Sequence, residues 1–316
     1  MGNVVGQRDT LHVTGANAAY FPMLCVLQGA YQLYMPGTRL MVCDFGLTLG
    51  QARFLAAKNI LLPKPDGLLL DRHVYYYKGS MYRYMEHLDF ASMLWIDCDC
   101  LPVGSLDQEL KTIVRQNHAG ENHLLAAVDV NAPTLGDFVR NHRYQVAPMT
   151  RLITDRNLSL DLPYLSAGLF LLNNHAVLDQ YARIMQDIPE HLLFDQNAFN
   201  VAVHSGKMAL IELDRDVWNS SGALLEALTW EDTANALPVL YRDGKRVWNI
   251  HVSDGKEQQH VQLTKMDVAM PGGRFRGLLR EPRREDLRRL ILDILANYLL
   301  ETVENNRLLR ECGALE

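Results

Sequence analysis

Leu94-Trp95-Ile96-Asp97-Cys98-Asp99-Cys100-Leu101-Pro102 is an apolar run that stops abruptly on two carboxylates one residue apart. With Ser92 and Met93 in front, it reads as a strand over Ser92 to Ile96. An apolar strand without alternation is one covered on both faces, as in a mainly parallel sheet. In open α/β sheets the ligand crevice lies outside the carboxyl ends of the strands, which is where Asp97 and Asp99 fall. Two neighbouring anionic side chains repel each other unless a cation compensates them. A divalent ion such as Mn²⁺ or Mg²⁺, bound through oxygen and shared with a diphosphate, would do so. An ordinary acidic turn after a strand is the other reading of the same residues.

Outward from this stretch, strand-like and helix-like segments alternate. Leu11 to Thr14 reads as a first strand running into the loop Gly15-Ala16-Asn17, and Tyr20 to Leu33 has helical spacing. Pro36-Gly37 breaks that helix, Arg39 to Cys43 is a second strand, and Leu49 to Lys58 a second helix. A third helix lies between Gly79 and His87, and Tyr75-Tyr76-Tyr77 before it suits a partly buried strand or turn, or a sugar platform. Beyond residue 100, Leu124 to Val128, Ala167 to Leu172, Ala209 to Leu213 and Val247 to His251 are of strand length, with helices over Ala176 to Ile188 and Asp195 to His204. Asn131 to Asp161 is polar and proline-punctuated, which predicts an irregular excursion. The alternation implies βαβ units and an α/β fold with a mainly parallel, Rossmann-like sheet. Pro271-Gly272-Gly273 marks a hinge, followed by an amphipathic helix over Arg283 to Arg310. The chain thus divides into an α/β domain, residues 1–270, and an Arg-rich helical tail, residues 271–316.

Composition excludes several classes. With 48% hydrophobic residues and a net charge of only −6, the 316-residue chain is no disordered protein. The acidic balance also argues against a nucleic-acid-binding protein. The longest apolar runs fall short of the roughly 18 residues of a spanning helix. The first 15 residues carry no compact apolar block, so no signal peptide is expected. Five cysteines, odd in number and without C-x2-C pairs, then read as reduced thiols in a cytoplasmic protein. Asn157-Leu158-Ser159 and Asn219-Ser220-Ser221 fit the glycosylation pattern but carry no meaning in that compartment.

An apolar strand ending in Asp-x-Asp resembles the nucleotide-sugar metal motif of glycosyltransferases with the GT-A fold. Other segments match in the order that resemblance demands. Val13 to Tyr20 is similar to the first strand and loop that hold the nucleoside, and Val42 to Leu47 to the second strand and its D-x-G-L turn. Tyr77-Lys78 stands where many relatives carry Lys-Pro, with Gly79 replacing the proline. Leu165 to Asn173, Asp195-Gln196-Asn197-Ala198, Trp218-Asn219 and Ile250 to Lys256 resemble later elements of the family 8 group of retaining transferases. One spacer is longer than usual, and the usual Pro-Trp after the closing lysine is absent. The resemblance covers about residues 10–257 and implies a GT-A nucleotide-diphospho-sugar transferase fold.

It also implies roles. Asp97, Asp99 and His251 would hold the metal, Mn²⁺ or Mg²⁺. Lys256 would place its ammonium on the diphosphate, and Gly255 would let the backbone come close. Thr14, Gly15, Asn17 and Tyr20 fall in the nucleoside loop, although a polar turn and a packing tyrosine explain them equally. Lys78, Cys98 and Gly168 join the donor-contacting set. Cys98 and Cys100 at C-x-C spacing suit strand-side packing or a thiolate zinc site, and Gly168 suits a close backbone approach or a bulge. Asp44 has a bland alternative as an Asx turn. Asp195 and Gln196 are the candidates for contacting the transferred sugar, a carboxylate and an amide that orient hydroxyls by paired hydrogen bonds; an N-cap role for Asp195 is compatible with this.

The expectation is a metal-dependent transfer of a hexose from a nucleotide diphosphate sugar, a UDP-sugar by resemblance, to a saccharide, lipid-linked, protein or other hydroxyl acceptor with retention. A non-catalytic nucleotide-sugar or partner binder is the rival. A sugar-1-phosphate nucleotidyltransferase is a weaker one, because Val13 to Ala19 lacks its G-x-G-T-R loop. Arg274 to Arg289 is arginine-rich without lysine, and carries three acidic residues, Glu281, Glu285 and Asp286. With the tail helix it has three readings: contact with acidic lipid headgroups as a peripheral membrane surface, a homo-oligomer contact, or intramolecular docking with solvated arginines.

Overall fold

The structure is a computed structural model that describes residues 10–68, 72–117, 120, 122–130, 132–231, 237–253, 259–270 and 273–300. In chain order the elements are β1 (Thr10–Ala16), α1 (Phe21–Tyr34), β2 (Leu40–Asp44), α2 (Leu49–Ala57) and β3 (Leu61–Leu62). Then come α3 (Val74–Gly79), α4 (Met81–Met85), β4 (Ser92–Ile96), β5 (Cys100–Pro102), α5 (Leu106–Gln116) and β6 (His123–Val128). They are followed by α6 (Leu135–His142), α7 (Ala147–Asp155), β7 (Leu165–Leu172), α8 (His175–Asp187), α9 (Phe194–Ser205) and β8 (Ala209–Leu213). The last are α10 (Arg215–Trp218), β9 (Thr229–Glu231), β10 (Val239–Arg242), β11 (Lys245–Arg246), β12 (Asn249–His251), β13 (Val261–Met270), β14 (Gly273–Pro282) and α11 (Glu285–Leu300). The fold is α/β, and the pairings β1–β4, β2–β3 and β6–β8 are parallel.

The chain forms two compact units. The first contains the chain up to Val13, Pro63–Ile96 and Asn117–Leu213. Its strands run in the order β1-β4-β7-β6-β8, with β7 antiparallel to both its neighbours. All of β6 and β7 is buried, as expected for strands packed on both faces. Between Ala126↔Phe170 and Val128↔Leu165 the register slips, so β7 advances five residues while β6 advances two. Gly168 lies in that bulged stretch.

A bulge forfeits ladder hydrogen bonds, and the polar residues of α9 supply replacements. Asn200 Oδ1 accepts from Leu165 N at 2.7 Å, and its Nδ2 donates to Leu165 O at 2.8 Å. Gln196 Oε1 accepts from Ala167 N at 3.2 Å. This explains why the buried side of α9 carries Gln196 and Asn200 rather than apolar residues alone. Asn200→Ala would leave a buried peptide N–H and C=O without partners. It is expected to destabilise the protein by about 2–3 kcal/mol, read from the urea midpoint at constant m-value.

Two sequence expectations are corrected in this unit. Asn131 to Asp161 is not irregular but carries α6 and α7. Thr134 caps α6, its Oγ1 accepting from Asp137 N at 3.0 Å. Pro148 stands in the first turn of α7, where its missing N–H costs no helical bond. Polarity and proline therefore marked helix starts. The Tyr75-Tyr76-Tyr77 run is likewise neither strand nor turn but the body of α3, started by His73 Nδ1 accepting from Tyr75 N at 3.3 Å.

The second unit contains Thr14–Leu62, Asp97–Gln116 and the chain from Asp214 onward. Most of α1 is buried, and α11, whose Leu287, Ile291, Ile294, Leu295 and Tyr298 are buried, lies against it. A Cβ added at Gly29 would fall 2.9 Å from Ile294 Cγ2, so the two helices approach closely because α1 presents glycine there. The intramolecular reading of the tail helix is the one this packing realises up to Leu300; residues 301–310 of the expected helix lie outside the described residues. Its arginines are not merely solvated. Arg284 donates to the carbonyls of Leu225 and Leu228 at 3.0 and 2.6 Å, and Arg288 pairs with buried Glu281 at 3.4 Å. Of the expected hinge, Pro271 and Gly272 lie outside the described residues, and the strands on either side of them pair in register from Val261↔Pro282 to Met270↔Gly273. Among the described residues no helix is long and apolar enough to cross a membrane.

Candidate metal and nucleotide site

In the second unit, the turn Asp97 to Cys100 is closed by Cys100 N donating to Asp97 O at 2.9 Å. β5 leaves this turn and pairs with β12, setting His251 opposite Cys100. Val252 N donates to Asp99 O at 2.7 Å, which pins the turn to the end of β12. His251 Nε2 thereby lies 3.5 Å from Asp99 Oδ1. Asp99, Cys100 and His251 together form a group whose ligand atoms all fall within 4.8 Å of one another. Asp97, half-buried, is outside that group, so the structure gathers Asp99 and His251 of the three expected ligands.

The imidazole is oriented from behind. Its Nδ1 lies 2.9 Å from Oδ1 of the buried Asn219, an oxygen that only accepts, so this contact suits a proton on Nδ1. A neutral ring of that tautomer would turn an Nε2 lone pair toward Asp99, which is the form that a cation would bind. Burial opposes a charge on His251, but Cys100 and Asp99 beside it outweigh that and raise its pKa well above the usual value. Burial pushes up the thiols of Cys98 and Cys100. A carboxylate oxygen and an imidazole nitrogen suit a borderline-hard divalent cation, and their spacing fits metal–ligand bonds of about 2.1 Å. The residues present therefore fit the expected group. Asn219→Leu is expected to weaken Mn²⁺ binding by about 10–100-fold, measured by titration calorimetry. Equal affinities would show that the amide does not orient the ring.

The first-strand loop is built largely for packing. Thr14 Oγ1 lies 3.6 Å from Cys98 Sγ, and that thiol donates to Gly15 O at 3.0 Å, so Cys98 ties the loop to the acidic turn. A Cβ at Gly15 would sit 2.1 Å from the Phe45 ring, which is why the position takes glycine. Asn17 Oδ1 accepts from Tyr20 N at 3.0 Å, a local turn bond that starts α1. Asp44 makes the same kind of turn, accepting from Gly46 N and Leu47 N at 2.9 and 2.8 Å. Gly255 and Lys256 lie outside the described residues.

Sequence reasoning missed Arg280. Its Nη1 lies 3.0 Å from Asp99 Oδ2 and its Nη2 donates to Tyr20 Oη at 3.1 Å. No spacing could have revealed it, because it reaches the site from β14 at the far end of the chain.

In the first unit, Lys78 and Asp195 form a buried ion pair at 3.3 Å, with Lys78 Nζ 6.0 Å from the centre of the Trp95 ring. Asp195 is not the N-cap. Leu193 takes that place in a left-handed conformation, φ 51°, and Asp195 stands in the first turn, where the helix dipole favours its charge. Gln196, besides its bond from Ala167 N, donates Nε2 to Asp129 Oδ2 at 3.0 Å. Gly79 in place of proline has a local cause: any Cβ there would fall 2.2 Å from Met185 Cγ on α8.

No protein-family profile matches the chain, and no curated protein sequence matches it. Several solved glycosyltransferase structures are similar in backbone. The bifunctional glycosyltransferase WbbM, without ligand, gives a TM-score of 0.49 at 14% identity over 70% of this chain and 41% of its own. The galactosyltransferase LgtC, in complex with donor and acceptor sugar analogues, gives 0.44 at 18% identity over 66% of this chain and 74% of its own. Mouse xyloside xylosyltransferase 1 in its apo form gives 0.45 at 13% identity over 68% of this chain and 88% of its own. The chain thus spans less than half the length of WbbM.

Proposed function

We propose that the chain is a metal-dependent glycosyltransferase of the GT-A kind. It moves a hexose from a nucleotide diphosphate sugar, a UDP-sugar, to a saccharide or other hydroxyl acceptor, with retention. The observation that carries this reading is the meeting of Asp99 and His251, with Asn219 orienting the imidazole. A carboxylate from a D-x-D turn and a nitrogen from a distant strand, with a buried amide behind it, form a donor set for a cation. A plain scaffold has no need of one.

Asp99 and His251, with Asp97 beside them, would hold Mn²⁺ or Mg²⁺, which when bound neutralises charge on the departing diphosphate. Asn219 keeps the His251 proton on Nδ1, away from the ligand face. Thr14, Gly15, Asn17 and Tyr20 border the nucleoside, their packing bonds holding the loop in shape. Cys98 acts through that loop. Lys256 and Gly255 retain their proposed contact with the diphosphate. Asp195 and Gln196 would contact the transferred sugar and Gly168 the donor, roles that rest on the family 8 resemblance. Retention rests on the family 8 resemblance alone.

Thermal-shift measurements against nucleotides and sugar nucleotides, with and without Mn²⁺, test the reading. UDP at 100 Kd is expected to stabilise the protein by about 2.7 kcal/mol, and only with the metal present. No stabilisation by any nucleotide would refute it. Binding without release of UDP from any UDP-sugar would favour the non-catalytic alternative.

A further inference from the structure

Arg280 has no place in any motif, yet its surroundings are specific. β14 is held against α1: a Cβ at Gly277 would fall 2.1 Å from Pro22 Cγ, and Arg280 N points at Met23 Sδ, 3.4 Å away. From that fixed backbone the guanidinium reaches Asp99 Oδ2 at 3.0 Å, Ser253 Oγ at 3.5 Å and Tyr20 Oη at 3.1 Å. It also lies 5.7 Å from the centre of the Tyr20 ring. The Asp99 carboxylate is thus shared, Oδ1 facing His251 and Oδ2 facing Arg280. The Arg280 side chain is partly exposed, at 25%.

A carboxylate already neutralised by arginine is a poorer partner for a divalent cation, and a cation placed on it repels the arginine. The guanidinium is a planar fork that matches phosphate oxygens with two parallel hydrogen bonds. We propose that Arg280 is a diphosphate-binding residue that holds Asp99 in the metal-free protein. When a divalent cation takes Asp99, Arg280 turns onto the donor diphosphate. Metal and diphosphate then favour each other's binding through one side chain, and the coupling is reciprocal. This inference rests on the nucleotide-sugar reading above.

Titration calorimetry on the full chain tests it, with MnCl₂ alone and with UDP at saturating Mn²⁺. Arg280→Gln removes the competitor and the fork together. It is expected to bind Mn²⁺ alone more tightly and UDP more weakly, each on the order of tenfold. An arginine that only supports the fold would weaken both or change neither, so opposite signs are the distinguishing result. Unchanged or weaker Mn²⁺ binding, or unchanged UDP binding, overturns the proposal. Arg280→Lys keeps the charge without the fork, and is expected to leave Mn²⁺ binding near wild type while weakening UDP. If Arg280→Gln does not fold, the lysine variant decides alone, and wild-type UDP affinity in it overturns the proposal. Wild-type protein that binds neither Mn²⁺ nor UDP overturns the function itself; wild-type binding with no change in the variants overturns only the role of Arg280.

Discussion

Asp99→Asn is expected to abolish Mn²⁺-dependent UDP binding while the protein still melts cooperatively. Asparagine keeps the size of the side chain and one acceptor oxygen, so the turn closed by Cys100 N and Asp97 O and the backbone bond from Val252 N remain available. What is lost is the negative charge facing His251 and Arg280. Losing a group that merely orients a metal ligand typically costs 10–100-fold in metal affinity. Losing a ligand is therefore expected to cost at least about 10²-fold in UDP affinity at fixed Mn²⁺. Titration calorimetry reads this directly. Wild-type UDP affinity in Asp99→Asn would show that Asp99 holds no cation, and the proposed site would have to be abandoned.

The second large effect concerns stability. Lys78→Ala leaves the Asp195 carboxylate, 8% exposed, without the ammonium 3.3 Å away. Breaking a buried pair on one side typically costs about 3–5 kcal/mol, because the remaining charge is stranded away from water. Replacing both partners by apolar residues of similar volume removes the stranded charge. Lys78→Met with Asp195→Leu is therefore expected to recover most of the loss. Urea unfolding of Lys78→Met, Asp195→Leu and the double variant forms a cycle that measures the coupling. Losses that simply add would mean that the two charges do not interact. The same cycle bears on function: the double variant is expected to fold and yet lose transfer activity, because Asp195 is proposed to touch the sugar.

Much of the α/β architecture was legible from local pattern. The strand at Ser92 to Ile96, the helix from about Tyr20 and the strand Ala209 to Leu213 coincide with observed elements to within a residue or so, because a buried strand and an amphipathic helix differ in apolar period. The stretch Asn131 to Asp161 was misjudged because proline and polar residues are shared by loops and by helix N-termini, and only packing of Leu135, Phe138, Met149 and Ile153 separates the two. The arginine-rich segment kept three readings, and its arginines were expected to be solvated, for a related reason. Charge density along a sequence does not reveal which carbonyl or carboxylate each guanidinium will meet.

By itself, the amino-acid sequence determined the alternation of elements, the delivery of Asp97 and Asp99 at a strand end, and the candidacy of His251. The first two follow from period and strand polarity, which are short-range properties, and the candidacy of His251 from the resemblance to the family 8 group. Only the tertiary structure decided that Asp99 rather than Asp97 joins His251, that Asn219 stands behind the imidazole, and that Lys78 pairs with Asp195. It alone brought Arg280 to the same carboxylate. Each of these depends on distances between residues far apart in the chain, set by the β5–β12 pairing, the packing of β14 on α1, and the burial of α9. Electrostatic interaction varies with separation in space, and separation along the sequence does not encode it.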